Sequence, residues 1–220
     1  MITEATFNFL KELNQNNERE WFHAHKEEHD KARNNVLDFT GEIITELSLI
    51  DQLIPADLDP KACVMRIYRD IRFSKDKTPY KTNFGAGISP YGKNFNGPGY
   101  YLHINPDECF VAGGCWLPEP EQLKLIRQEI DYNSGEFRKI IDNTEFQNYF
   151  GSLETEHTLK TVPKGYSADH SEINYLKLKS FTVSHKLTAK ELQQKDAVKK
   201  VIMGFAIMHP FIVYLRNALS

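Results

Sequence analysis

Apolar residues recur at helical spacing toward both ends of the chain and alternate in its middle. Thr6, Phe9, Leu10 and Leu13 share one face of a helix that Thr3 is placed to cap. Residues 14–17 interrupt it, and Asn17 with Glu20 reads as a capping-box start for the next helix. That helix is long. Val36, Phe39, Ile43, Ile44 and Leu47 keep a steady stripe to about residue 49, and the stripe extends back through Ala32, His29, His25 and Phe22. A proline-bearing segment, 51–60, ends it.

The period then changes to two. Over 61–73, Cys63, Met65, Ile67, Ile71 and Phe73 take one face of a strand, and Val64, Arg66, Tyr68, Asp70 and Arg72 the other. Arg69 falls on the apolar side, which predicts a bulge or the strand end there. Residues 74–83 are polar, and Pro79 biases Thr78 to extended geometry, so neither regular strand nor helix continues. Residues 85–99, with five glycines and two prolines, read as a hairpin or loop. Strands follow at 100–105 and 109–116, with Pro106-Asp107 as their turn. Helices follow at 119–131, with Pro120 in the first turn, and at 136–142. Further on come an edge strand at 157–162, a turn at 163–166 and a strand at 176–183. A capping box, Thr188 with Glu191, precedes a final helix that is apolar nearly all round and holds Pro210. This order predicts a single domain over 1–220 of α+β class: a central antiparallel or mixed sheet packed by N-terminal and C-terminal helices.

Charge changes the picture in one place. The chain carries −3 overall, yet residues 61–81 hold seven Lys/Arg against two Asp, a local +5. Three cysteines without a C-x-x-C pair fit a reducing compartment, and the N-terminus lacks the basic and apolar regions of a signal peptide. The apolar run 201–215 reads as a buried helix and not a membrane span. We therefore expect a cytoplasmic protein.

Several stretches resemble one family along essentially the whole chain. They are Asn17-x-x-Glu20-Trp21-Phe22-x-x-His25-Lys26; Arg66-x-x-Arg69-Asp70-x-Arg72-Phe73-Ser74-x-Asp76-Lys77-x-Pro79-Tyr80-Lys81; Gly113-Gly114 before Trp116; Pro163-x-Gly165-Tyr166; and Leu176-Lys177. Together they resemble the domain-of-unknown-function 2461 family. The resemblance implies an organisation and no established activity.

The residues themselves point to an anion. Arginine forks suit phosphate or carboxylate, so Arg66, Arg69 and Arg72 are candidate ligand contacts, with Asp70 orienting one of them. Ser74, Lys75, Lys77 and Lys81 extend the set, Tyr80 would pack or donate, and Lys177 and Lys179 would close the site if their strand lies alongside. His25 is the candidate acid or base. His23, His25 and His29 cannot share one metal ion on a helix, because successive positions diverge by ~100°. Gly87-x-x-x-x-Gly92-Lys93 lacks the Ser or Thr and the following helix of a phosphate-binding loop. Nothing in the sequence assigns a cofactor or an oligomeric state. The expected partner is an anionic small molecule, with a hydrolase or transferase acting on it as the extension. A non-catalytic nucleic-acid or protein-binding module is one alternative, and a structural salt-bridge network is the other.

Overall fold

A computed structural model describes residues 1–220. Thr3 caps α1 (Glu4–Gln15), its side chain accepting from the Thr6 amide. The long helix of the sequence is two helices, α2 (Arg19–Ala24) and α3 (Lys26–Ser48), because His25 leaves the helical region at φ −109° and ψ 28°. Glu18, not Asn17, precedes α2 as its cap. The expected strand over 61–73 is replaced at its start by α4 (Pro60–Cys63), where Asp59 caps and Pro60 occupies the first turn. Beyond α4, the rest of that segment pairs only through isolated bridges. The glycine-rich stretch instead begins with a strand, β1 (Phe84–Ile88).

β2 (Gly99–Ile104) and β3 (Cys109–Cys115) lie where the alternation put them. Then come α5 (Pro120–Tyr132), α6 (Ser134–Ile141), α7 (Thr144–Phe150) and α8 (Ile173–Leu176). The last strand, β4 (Phe181–Leu187), starts later than the sequence suggests, since α8 occupies its expected beginning. Residues 157–162 contribute one bridge, Thr158 to Leu178, and no strand. The Thr188–Glu191 capping box opens the short α9 (Ala189–Leu192), and α10 (Ala197–Asn217) follows. The four strands form an antiparallel sheet in the order β1-β2-β3-β4, flanked by helices, so the fold is α+β.

The chain divides into two compact units. The first comprises Met1–Phe95, Tyr101–Val111 and Lys186–Met203; the second comprises Asn96–Tyr100, Ala112–His185 and Gly204–Ser220. In the first, α1 packs on α3 and α3 on β1, burying Phe9, Leu10, Leu13, Val36, Phe39, Ile43, Phe84 and Ile88. The Ile2 amide donates to the Leu192 carbonyl at 2.9 Å, which ties the start of α1 to α9.

In the second unit, Ile126, Ile130, Phe137, Ile141 and Phe146 are buried, as are Phe205, Met208, Phe211, Ile212 and Leu215 of α10. Ring pairs such as Phe146–Phe211 at 6.0 Å and Phe137–Tyr214 at 5.6 Å hold these helices in register. Gly113 and Gly114 serve packing here. A side chain at Gly113 would collide with Met208, and one at Gly114, whose φ is +127°, would collide with the Phe181 carbonyl.

Candidate anion site on the basic hairpin

The basic stretch forms a hairpin whose arms, 64–69 and 79–86, run antiparallel. Bridges join Val64 to Ala86 and Tyr68 to Tyr80. The Met65 amide donates to Gly85 at 2.8 Å, Arg69 to the Pro79 carbonyl at 2.9 Å, and Lys81 to Ile67 at 2.7 Å. Pro79 has no N–H to give, and its position needs none, because only its carbonyl is used in the pairing.

The hairpin is seated on the N-terminal helices by Asn17. Its side-chain amide donates to the Tyr80 carbonyl and its oxygen accepts from the Tyr80 amide, each at 3.0 Å. The carboxamide thus behaves as one more strand residue, which is why it does not cap α2. Phe22 stacks on the buried Tyr80 ring at 4.0 Å, and Tyr68 stands 5.4 Å from Tyr80 and 6.0 Å from Phe22. Burial first, and then the neighbouring Tyr68, push the Tyr80 phenol upward, against the charge of Arg19. Arg19 therefore borders the site, although sequence spacing gave no reason to include it.

The tip, 70–78, is shaped by its own charges. Arg72 grips Asp70 through Nε at 3.0 Å and Nη2 at 2.7 Å. Arg69 bonds Asp76 and Thr78. The Thr78 amide and then Arg69 hold the Asp76 carboxyl down at about 2. Lys77 donates from Nζ to the Ile71 carbonyl at 2.9 Å. Arg69, Arg72 and Lys77 are thus engaged in closing the loop. Phe73, expected on the inner face, is instead 94% exposed, with the Arg72 guanidinium 5.8 Å from its ring. Lys75 is exposed and Ser74 half-buried, and neither makes a side-chain hydrogen bond.

Arg66 and Lys81 differ from the rest. Neither side chain makes a hydrogen bond or an ion pair, although the Arg66 charge reaches the Asp70 carboxyl. Lys81 is half-buried, and burial first, followed by the Arg66 charge, lowers its pKa. Two cations are held near each other, and the acid that feels Arg66, Asp70, gives its hydrogen bonds to Arg72.

The remaining expected residues lie elsewhere. Lys177 caps α8 at its C-terminus, and Lys177 and Lys179 exchange backbone bonds with Leu159 and His157 at 2.9 and 2.8 Å in the second unit. They belong to that unit, whereas the hairpin belongs to the first. His25 donates from Nδ1 to the Trp21 carbonyl at 2.8 Å and stacks on the Trp21 ring at 4.0 Å, with no bond to the hairpin. Lys93 of the glycine-rich stretch bonds the Lys61 and Ala62 carbonyls, closing α4. A shallow cavity of about 210 Å³ between α1 and residues 105–107 is lined by none of the predicted residues.

The family described as "Conserved hypothetical protein (DUF2461)" matches residues 5–214. The chain belongs to the DUF2461 family. No curated protein and no solved structure matches it. In this DUF2461 chain the two longest stretches that resemble the family, around Asn17 and around Asp76, meet at the Asn17–Tyr80 and Phe22–Tyr80 contacts.

Proposed function

We propose that this DUF2461 protein binds a phosphate-bearing ligand on the open hairpin, with Arg66 and Lys81 as the phosphate contacts. The observation that carries the reading is that pair of neighbouring cations, one half-buried, with neither side chain in an ion pair. Holding like charges together is unfavourable until a counter-charge arrives, so an anion placed between them gains from both. Tyr68, 48% exposed, lies two positions from Arg66 on the same arm, and Phe73, 94% exposed, stands at the tip beside Arg72; exposed rings next to cations fit nucleobases carried on the same ligand. The class is therefore a nucleotide or single-stranded nucleic acid. Arg69, Asp70, Arg72, Asp76 and Lys77 act by fixing the tip. His25 is turned to Trp21, and we read binding rather than turnover.

The test is fluorescence anisotropy with a thymidine oligonucleotide, with a thermal-shift arm using AMP and ATP. Arg66→Ala and Lys81→Ala are each expected to weaken binding about 10- to 150-fold, as loss of a charge-assisted hydrogen bond does. Phe73→Ala should weaken the oligonucleotide at least about fivefold and leave AMP nearly unchanged if successive bases stack on the tip. Oligonucleotide affinity should fall steeply with salt. Absence of saturable binding to every probe at low salt, or unchanged affinity in both cation variants, would overturn the reading.

A further inference from the structure

The second unit holds a guanidinium that its fold does not satisfy. Arg127 lies on α5, beside the buried Ile126 and one turn before Ile130. Of its five N–H donors, one is used: Nη2 donates to the Leu178 carbonyl at 3.0 Å. Nε is enclosed and has no acceptor, while Nη1 is neither bonded nor enclosed. A buried donor without a partner is unfavourable, and more so on a charged group. Burial accordingly pulls the Arg127 pKa down.

The nearest acid on the helix does not relieve this. Asp131, one turn along, accepts from His170 Nε2 at 2.9 Å. The other ring nitrogen of His170 accepts from the Glu172 amide at 2.9 Å, which fixes the tautomer that gives its proton to Asp131. Asp131 and His170 thus satisfy each other and leave Arg127 without a carboxylate.

A second donor, Tyr166, is near enough for its phenol and the Arg127 guanidinium to act on each other electrostatically. The Pro163-Lys164-Gly165-Tyr166 turn closes through the Tyr166 amide and the Pro163 carbonyl at 3.3 Å, with Gly165 at φ +95° as the turn demands. It turns Tyr166 back so that its ring meets His170 at 6.1 Å, edge to face. Burial first, and then the charge of Asp131, push the Tyr166 phenol upward, against the charge of Arg127. This turn is one of the stretches behind the family resemblance, and the hairpin site makes no use of it.

We propose that Arg127 and Tyr166 form a separate site for a small carboxylate, bound by the open Nη1 edge of the guanidinium and the phenolic O–H. A monoanion matches the single unpaired positive charge, and a planar carboxylate accepts from both donors at once. The hairpin has no part in this site.

The experiment is a thermal-shift titration of the full chain with sodium acetate against sodium chloride at matched ionic strength and pH, with sodium phosphate as a third arm. At an acetate concentration about tenfold above half-saturation, the folded population should gain about tenfold, or about 3–6 °C in Tm. Arg127→Met should abolish the acetate-specific shift, and Tyr166→Phe should weaken it severalfold while Arg66→Ala leaves it intact. If Arg127→Met fails to fold, the Tyr166→Phe comparison and the Arg127 Nε–H proton signal of the wild type, which acetate should move and chloride should not, still decide. Equal shifts with acetate and chloride, equal shifts in wild type and Tyr166→Phe, or a shift with phosphate alone would each overturn the carboxylate site.

Discussion

Replacing Asn17 by alanine removes two hydrogen bonds to the Tyr80 backbone and leaves that peptide's donor and acceptor unmet on this side. Asn17→Ala should lower stability by about 1–3 kcal/mol, measured by urea unfolding. It should also loosen the stacked Phe22–Tyr80 pair, read as a change in near-ultraviolet dichroism. An unchanged midpoint would mean that the helices and the hairpin are held by the rings alone. At this scale the sequence was readable where one residue acts on its near neighbours: the Thr3 cap and the Thr188–Glu191 box are local and visible. Asn17 was misread because its partner lies 63 positions away, and Asn-x-x-Glu spacing looks the same whether the side chain caps a helix or lengthens a strand.

Among the elements, the hairpin tip is the one whose shape depends on charge. Asp76 collects Arg69 and Thr78, so Asp76→Asn should free the Arg69 guanidinium and make 70–78 more mobile. Limited trypsin digestion should then cleave within that loop faster than in the wild type, with little change in Tm, because Asp76 is exposed and Arg69 only half-buried. Equal cleavage rates would assign the loop's shape to the backbone instead. β2 and β3 were legible because alternation and a Pro-Asp turn agree there. β1 was hidden because Phe-Gly-Ala-Gly-Ile carries a loop's composition. A Cβ at Gly85 would stand 2.6 Å from the Tyr101 hydroxyl and force that ring to shift, and only the folded sheet reveals that neighbour. The alternation over 61–73 foretold that Ile67 is buried and Tyr68 exposed. It failed at Phe73, where the chain has left its partner and no longer has an inside. The basic character of the site was likewise readable, but which cations remain unpaired was not, because Asp70 and Asp76 choose their arginines through the turn geometry.

For the molecule as a whole, acid should act in two stages. Burial lowers the pKa values of His29, packed among Phe9, Phe22 and Phe84, and of His103, stacked on Phe110 at 4.6 Å. His29 faces Asp30, Lys26 and Arg33, and His103 faces Glu108. Below pH ~6.5 the unfolded chain takes up protons that the folded chain refuses, so stability is full above that value and falls as pH drops toward the depressed folded values. Asp30, Asp70 and Asp76 have lowered carboxyl pKa values, so their stabilisation is lost only further down, from pH ~3.9 toward about 2. Urea midpoints between pH 7.5 and 4.5 should decline, and His29→Leu should flatten that decline. A wild-type midpoint constant across this range would contradict the assignment.

The first unit takes its closing piece from Lys186–Met203, long after its opening stretch, Met1–Phe95. At ordinary translation speeds the interval between them is about 5–20 s. During that wait the aromatic faces of α1 and α3 have emerged from the ribosome, while the Leu192 carbonyl that receives the Ile2 amide does not yet exist. A nascent chain stalled in this window presents sticky, unfinished surface, so the protein's yield in a cell should depend on chaperones that bind early and let go late.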